Sequence, residues 1–99
     1  MIRGTTPTHI FNLPFEVDIV ECVRITYAQR GKTVFTKGDE DVELEGNQVR
    51  VTLTQEDTLM FDCNDCVYVQ LKVKTVSGQV LATTRKKVGI TTILCTEVL

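Results

Sequence analysis

The chain has one histidine, no tryptophan and two prolines among its 99 residues. No apolar run in it approaches the roughly 20 residues needed to cross a bilayer. With His9 as the only imidazole, the pairings on which base catalysis usually depends are missing. G-x-S-x-G elbows, phosphate-cradling glycine loops and H-E-x-x-H motifs are missing as well. These gaps point away from an enzyme and from a cofactor. A secretory signal needs a basic start and about 7 to 15 consecutive apolar residues, whereas Met1-Ile2-Arg3-Gly4-Thr5-Thr6-Pro7-Thr8 is polar and broken by Gly and Pro. An excess of positive charge is also lacking. Lys plus Arg number 11 against 13 Asp plus Glu, a net charge of -2, too balanced for general phosphate neutralisation. Neither nucleic acid nor membrane is an expected partner. Without export, the thiols are expected to be free and the protein to reside in a cytoplasm or in a particle assembled there.

What is present is alternation. The 42 % hydrophobic and 24 % charged composition is that of a folded protein, and 99 residues allow one domain spanning 1–99. From Val67 to Val73 the odd positions are apolar, while Tyr68, Gln70, Lys72 and Lys74 occupy the other face, the period of a half-buried strand. Gln48 to Leu53 repeats it after an Glu45-Gly46-Asn47 turn, with Val42-Glu43-Leu44 as hairpin partner, Val42 and Leu44 facing inward. Val23, Ile25 and Tyr27 alternate with Arg24, Thr26 and Ala28, and Gln29-Arg30-Gly31-Lys32 turns the chain into Thr33–Thr36. Thr8 to Leu13 and Val80 to Thr84 complete the set. Thr54-Gln55-Glu56-Asp57 places a hydroxyl three residues before a carboxylate, the pattern of a helix start, and predicts one helical turn. About seven short strands and one helical turn predict an all-β fold, an immunoglobulin-like antiparallel sandwich, with a closed barrel as the alternative.

Three clusters carry potential chemistry. Cys63-Asn64-Asp65-Cys66 has the spacing of a metal or redox pair. A zinc site needs two more ligands, and only the isolated Cys22, Cys95 and His9 remain, so no metal is expected and Cys63 and Cys66 stand as minor candidates. An antibody-type bridge is not expected: the parity of its strand turns Cys22 away from the core, and there is no Trp to pack on a bridge. Asp39-Glu40-Asp41, within the acidic block 39–45, reads as a solvated edge and lacks the spacing of a calcium loop. Arg85-Lys86-Lys87 reads as an edge that blocks strand pairing, or as a docking patch for an acidic surface. These two opposite patches make head-to-tail association of copies conceivable.

Several motifs in order resemble a known group. Arg3-Gly4-Thr5-Thr6-Pro7 before an alternating strand, Leu53 to Thr58 with Phe61, Val69 to Val73, and the Ser77-Gly78 turn resemble the small immunoglobulin-like N-terminal domains of tailed-phage upper baseplate proteins, over roughly Arg3 to Val88. The sequence departs from that pattern at Cys63 and Cys66, where a polar turn would suffice, and in stopping at Leu99. The resemblance implies a non-enzymatic assembly part of a phage or prophage tail, with other phage structural proteins or its own copies as partners. It further implies that Arg3 and Gly4 shape the first turn, that Thr54 and Asp57 cap the connector, and that Gln70 faces outward. A glycan-binding module is the alternative, since sandwich loops can carry a site without altering the core.

Overall fold

A computed structural model of the chain describes residues 1–62, 64–83 and 85–90. The period-two segments form strands β1 (Thr8–Asn12), β2 (Val20–Gln29), β3 (Lys32–Lys37), β4 (Val42–Glu45), β5 (Gln48–Thr52), β6 (Val67–Thr75), β7 (Val80–Ala82) and β8 (Lys86–Val88), with a helical turn α1 at Gln55–Leu59. Two 3-10 turns, Val17–Ile19 and Asp39–Asp41, add to the single helical turn expected. The strands pair antiparallel in two sheets, ordered β1-β5-β4 and β3-β2-β6-β7, with β8 also on β6. β7 pairs with Lys72–Lys74 and β8 with Val67–Val69, so they are two pieces of one outer strand.

This strand order fixes the topology. An immunoglobulin sandwich sets its second, fifth and fourth strands in one sheet and its third, sixth and seventh in the other, the variable type adding a strand beside the third. With β1 taken as the second strand, the two sheets here reproduce that arrangement, without a strand paired on the free side of β1 among the described residues. The fold is an all-β, immunoglobulin-like antiparallel sandwich with only short helical turns, not a closed barrel.

The inward faces meet in one core. Phe11, Val49 and Val51 from the smaller sheet pack against Val23, Ile25, Tyr27, Val67, Val69, Leu71 and Val73 from the larger, with Leu53 and Phe61 closing one end. Tyr27, Phe35 and Phe61 form a tilted aromatic cluster with centroids 4.9 to 6.0 Å apart. Leu44 departs from expectation. It lies opposite Val49, but β4 is an edge strand and the side chain remains 42 % exposed. The β2–β3 turn takes positive φ at both Arg30 and Gly31, the twist that a two-residue hairpin loop requires.

The predicted helix start is built as a capping box. The Asp57 amide donates to Thr54 Oγ1 at 3.1 Å and the Thr54 amide donates to an Asp57 carboxylate oxygen at 2.9 Å. The same carboxylate meets Lys37 Nζ of β3 at 2.7 Å, and both side chains are largely buried. Burial alone raises the Asp57 pKa, but the Lys37 ammonium and the Thr54 amide and hydroxyl outweigh it and hold the carboxyl below its ordinary 3.8. A depressed carboxylate pKa contributes stability that is whole above the unfolded-state value and lost as pH falls through the folded-state one. Acid titration of the thermal midpoint is therefore expected to give a shallower acid limb for Asp57→Asn than for the wild type, and an unchanged limb would refute the assignment. Removing the cap hydroxyl with Thr54→Ala is expected to cost about 1 kcal/mol.

The N-terminal segment is clamped on this turn. Arg3 donates from Nε to the Phe61 carbonyl and from Nη2 to that of Leu59, each at 2.9 Å. The fully buried Thr58 hydroxyl accepts the Gly4 amide and donates to the Thr5 carbonyl.

Candidate interaction surface

Strand parity places a basic field on the outer face of the larger sheet. Arg24 of β2 lies directly opposite Lys72 of β6, Cys22 opposite Lys74, and Tyr68 opposite Lys87 of β8. Arg85 sits with its guanidinium carbon 5.7 Å from the centroid of the Tyr68 ring. From residue 67 to residue 90 the sequence has five cations and no carboxylate. None of Lys72, Lys74, Arg85 and Lys87 makes an ion pair among the described residues. Like charges facing each other across neighbouring strands destabilise a sheet. Asp39 offsets the Arg24 charge, which leaves Lys72 facing an ion-paired guanidinium across the ladder. Apolar surface is interleaved with the charge: Val80, opposite Lys74, is 52 % exposed and Tyr68 37 % exposed. Cys22, Arg24, Lys72, Lys74 and Val80 line a shared depression.

The basic triplet does not stay together. Arg85 and Lys87 belong to the outer field, whereas Lys86 lies opposite the inward-facing Val69 and brings Nζ to 5.9 Å from the Phe11 ring centroid, at the rim between the sheets. Lys72 and Lys74 take its place. Their outward parity was legible in the sequence, and the run of residues without carboxylates was the signal that could have joined them to Arg85 and Lys87.

The acidic candidates lie at the opposite side of the larger sheet, where the Asp39–Asp41 turn leaves β3 for β4. Asp39 is committed locally: it accepts the Val23 amide and pairs with Arg24 at 3.3 Å. Asp41 accepts the Gly38 amide at 3.0 Å. Glu40 is exposed, as is Glu43 beyond it on β4, and neither makes an ion pair among the described residues. Glu45 pairs with Arg50 at 3.6 Å. Asp39 with Arg24 therefore lies between Glu40 and Glu43, two exposed carboxylates outside any ion pair among the described residues, and the cations of the outer face. Glu43 faces Arg50 across the β4–β5 ladder.

Of the cysteines, Cys22 and Cys66 are free and half-buried, and Cys22 faces away from the core as its parity predicts. Cys63 and Cys95 lie outside the described residues, as does Thr84 in the expected strand Val80 to Thr84. Among the described residues no three His, Cys, Asp or Glu side chains are grouped to hold a metal ion, and no helix is long and apolar enough to cross a membrane.

His9 forms a link between the sheets. Its Nδ1 lies 2.6 Å from the hydroxyl of the fully buried Tyr27. Burial lowers the His9 pKa, helped by the N-terminal ammonium, and burial together with the Asp57 charge raises that of Tyr27. Burial thus favours the neutral imidazole, and the hydrogen bond between Nδ1 and the Tyr27 hydroxyl joins β1 to β2. Among the aromatics that a glycan site would use, Tyr27, Phe11 and Phe61 are buried and Phe15 and Phe35 half-buried, leaving Tyr68 exposed.

No protein-family profile matches the chain, and no curated protein matches it. Among solved structures it is similar to the V domain of amphioxus IgVJ-C2, at 16 % identity and a TM-score of 0.36, covering 90 % of this chain and 95 % of that one. At that degree of superposition the fold assignment rests on the strand order described above.

Proposed function

We propose that this chain is a non-enzymatic assembly module that works by protein–protein contact through the outer face of its larger sheet. The resemblance in its Arg3 to Val88 motifs suggests the setting, the tail or baseplate of a phage or prophage, with other virion subunits as partners and residence in the virion or the host cytoplasm. One observation carries the reading: Lys72, Lys74, Arg85 and Lys87 are gathered on the outer face of the larger sheet, outside any ion pair among the described residues, around the exposed Tyr68 and Val80. A solvated face intersperses charges of both signs, whereas a single-sign field around apolar side chains suits an oppositely charged protein surface.

The test is incorporation. Antibody detection across a density gradient of particles from the source cells is expected to find the wild-type chain with tail-sized particles, and a Lys72→Glu/Lys74→Glu chain in the free fraction. A wild-type chain found at its own mass alone, or a doubly reversed chain incorporated as well as the wild type, would overturn the proposal.

A further inference from the structure

We infer that one partner of the basic face is the acidic edge of a second copy of this chain, so that copies associate head to tail. The inference rests on the assembly reading and names a partner for the same face. The complement is present on the molecule itself: Glu40, Asp41 and Glu43 stand at the β3–β4 edge, and Lys72, Lys74, Arg85 and Lys87 lie on β6, β8 and the residue before β8. Each set lacks an ion-pair partner among the described residues of its own chain. Asp39 occupies the Arg24 guanidinium that lies between them. A two-fold contact of the basic face with itself would set like charges against each other. A heterologous contact satisfies both surfaces and repeats, closing into a ring or running on as a filament.

The size of the face sets the strength. Nine residues of β6 span about 30 Å and four strands side by side about 19 Å, which bounds the face at roughly 600 Å² per partner; an edge covers only part of it, below the usual size of specific interfaces. A weak contact, micromolar at low ionic strength, is the expectation. Its screening length shrinks from about 30 Å at 0.01 M to about 3 Å at 1 M salt.

Sedimentation velocity on the purified chain tests this. The wild type is expected to show mass growing with concentration at low salt, and its association constant to fall at least about tenfold on going to about 0.15 M. Lys72→Glu/Lys74→Glu and Glu40→Lys/Glu43→Lys are each expected to be monomeric and, when mixed in equal amounts, to associate again. Circular dichroism and thermal midpoints check that both variants fold. As a further readout in the unaltered chain, cross-linking between lysine amines and carboxylates is expected to join Lys72 or Lys74 of one copy to Glu40 or Glu43 of another. A wild type monomeric at every salt concentration, association that strengthens with salt, or folded variants that associate as the wild type does would each overturn the inference. Because the assembly reading is judged by incorporation into particles, a purified chain that stays monomeric yet enters particles would remove the self-contact alone.

Discussion

Phe61→Ala is expected to lower the free energy of unfolding by about 3–5 kcal/mol, the usual cost of truncating a buried phenylalanine. Phe61 is 1 % exposed. Its ring lies 5.3 Å from that of Phe35 and 6.0 Å from that of Tyr27, so truncation removes a member of the aromatic cluster as well as apolar area. The local backbone resists filling the void, because the Phe61 carbonyl is held by Arg3 and α1 is fixed by its capping box and by Thr58. A domain of this size has a total stability of about 5–15 kcal/mol, so the loss is a large fraction of what holds the fold. Urea denaturation with both proteins measured side by side gives the difference. Val76→Ala, at a side chain 68 % exposed, should stay within about 0.5 kcal/mol and serves as the control. A loss below about 1 kcal/mol for Phe61→Ala would mean that Phe61 does not close the end of the core as described.

That prediction concerns a residue whose place could be read from the sequence only in part. Alternation over Val67 to Val73 identified β6 and its inward face, since a strand buried on one side leaves no other arrangement of Val and Leu. The Thr54 and Asp57 spacing identified the start of α1 for a similarly local reason: both partners lie within three residues. Where pairing is non-local the reading fails. β8 carries Lys86 and Lys87 before Val88, a pattern that reads as a polar edge, and it becomes a strand because β6 offers Val67–Val69 as a partner. Leu44 was read as inward by parity alone, and parity cannot say that β4 has no neighbour to cover it. The basic face was legible by halves: the period placed Lys72 and Lys74 outward, but only the β6–β8 register brings Lys87 beside Tyr68 and separates it from Lys86. The His9–Tyr27 hydrogen bond joins two sheets across 18 residues and leaves no local mark in the sequence.

Gln29 was likewise read as a turn residue, and in the fold it is the anchor of the segment before β6. Its carboxamide nitrogen donates to the Asp62 carbonyl at 2.7 Å and to that of Asp65 at 3.2 Å, and its oxygen accepts the Asp62 amide at 2.8 Å. At 8 % exposure it replaces water for three backbone groups. Gln29→Leu preserves volume and supplies no donor or acceptor. Each buried group left without a partner costs about 1–3 kcal/mol, but Asp62 is exposed and Asp65 half-buried, so rehydration recovers part of the loss and about 2–3 kcal/mol in all is the expected cost. Arg30 also holds the segment through the Asp62 and Asp65 carboxylates, yet exposed ion pairs contribute little, about 0–1 kcal/mol, and do not substitute for the lost carboxamide. Hydrogen exchange discriminates between local and global loss: the Asp62 amide should lose its protection far more than the amides of β2 and β6, whose ladder is untouched. Equal losses at all these sites would assign the cost to the core, and an unchanged Asp62 amide would remove Gln29 from its role as anchor.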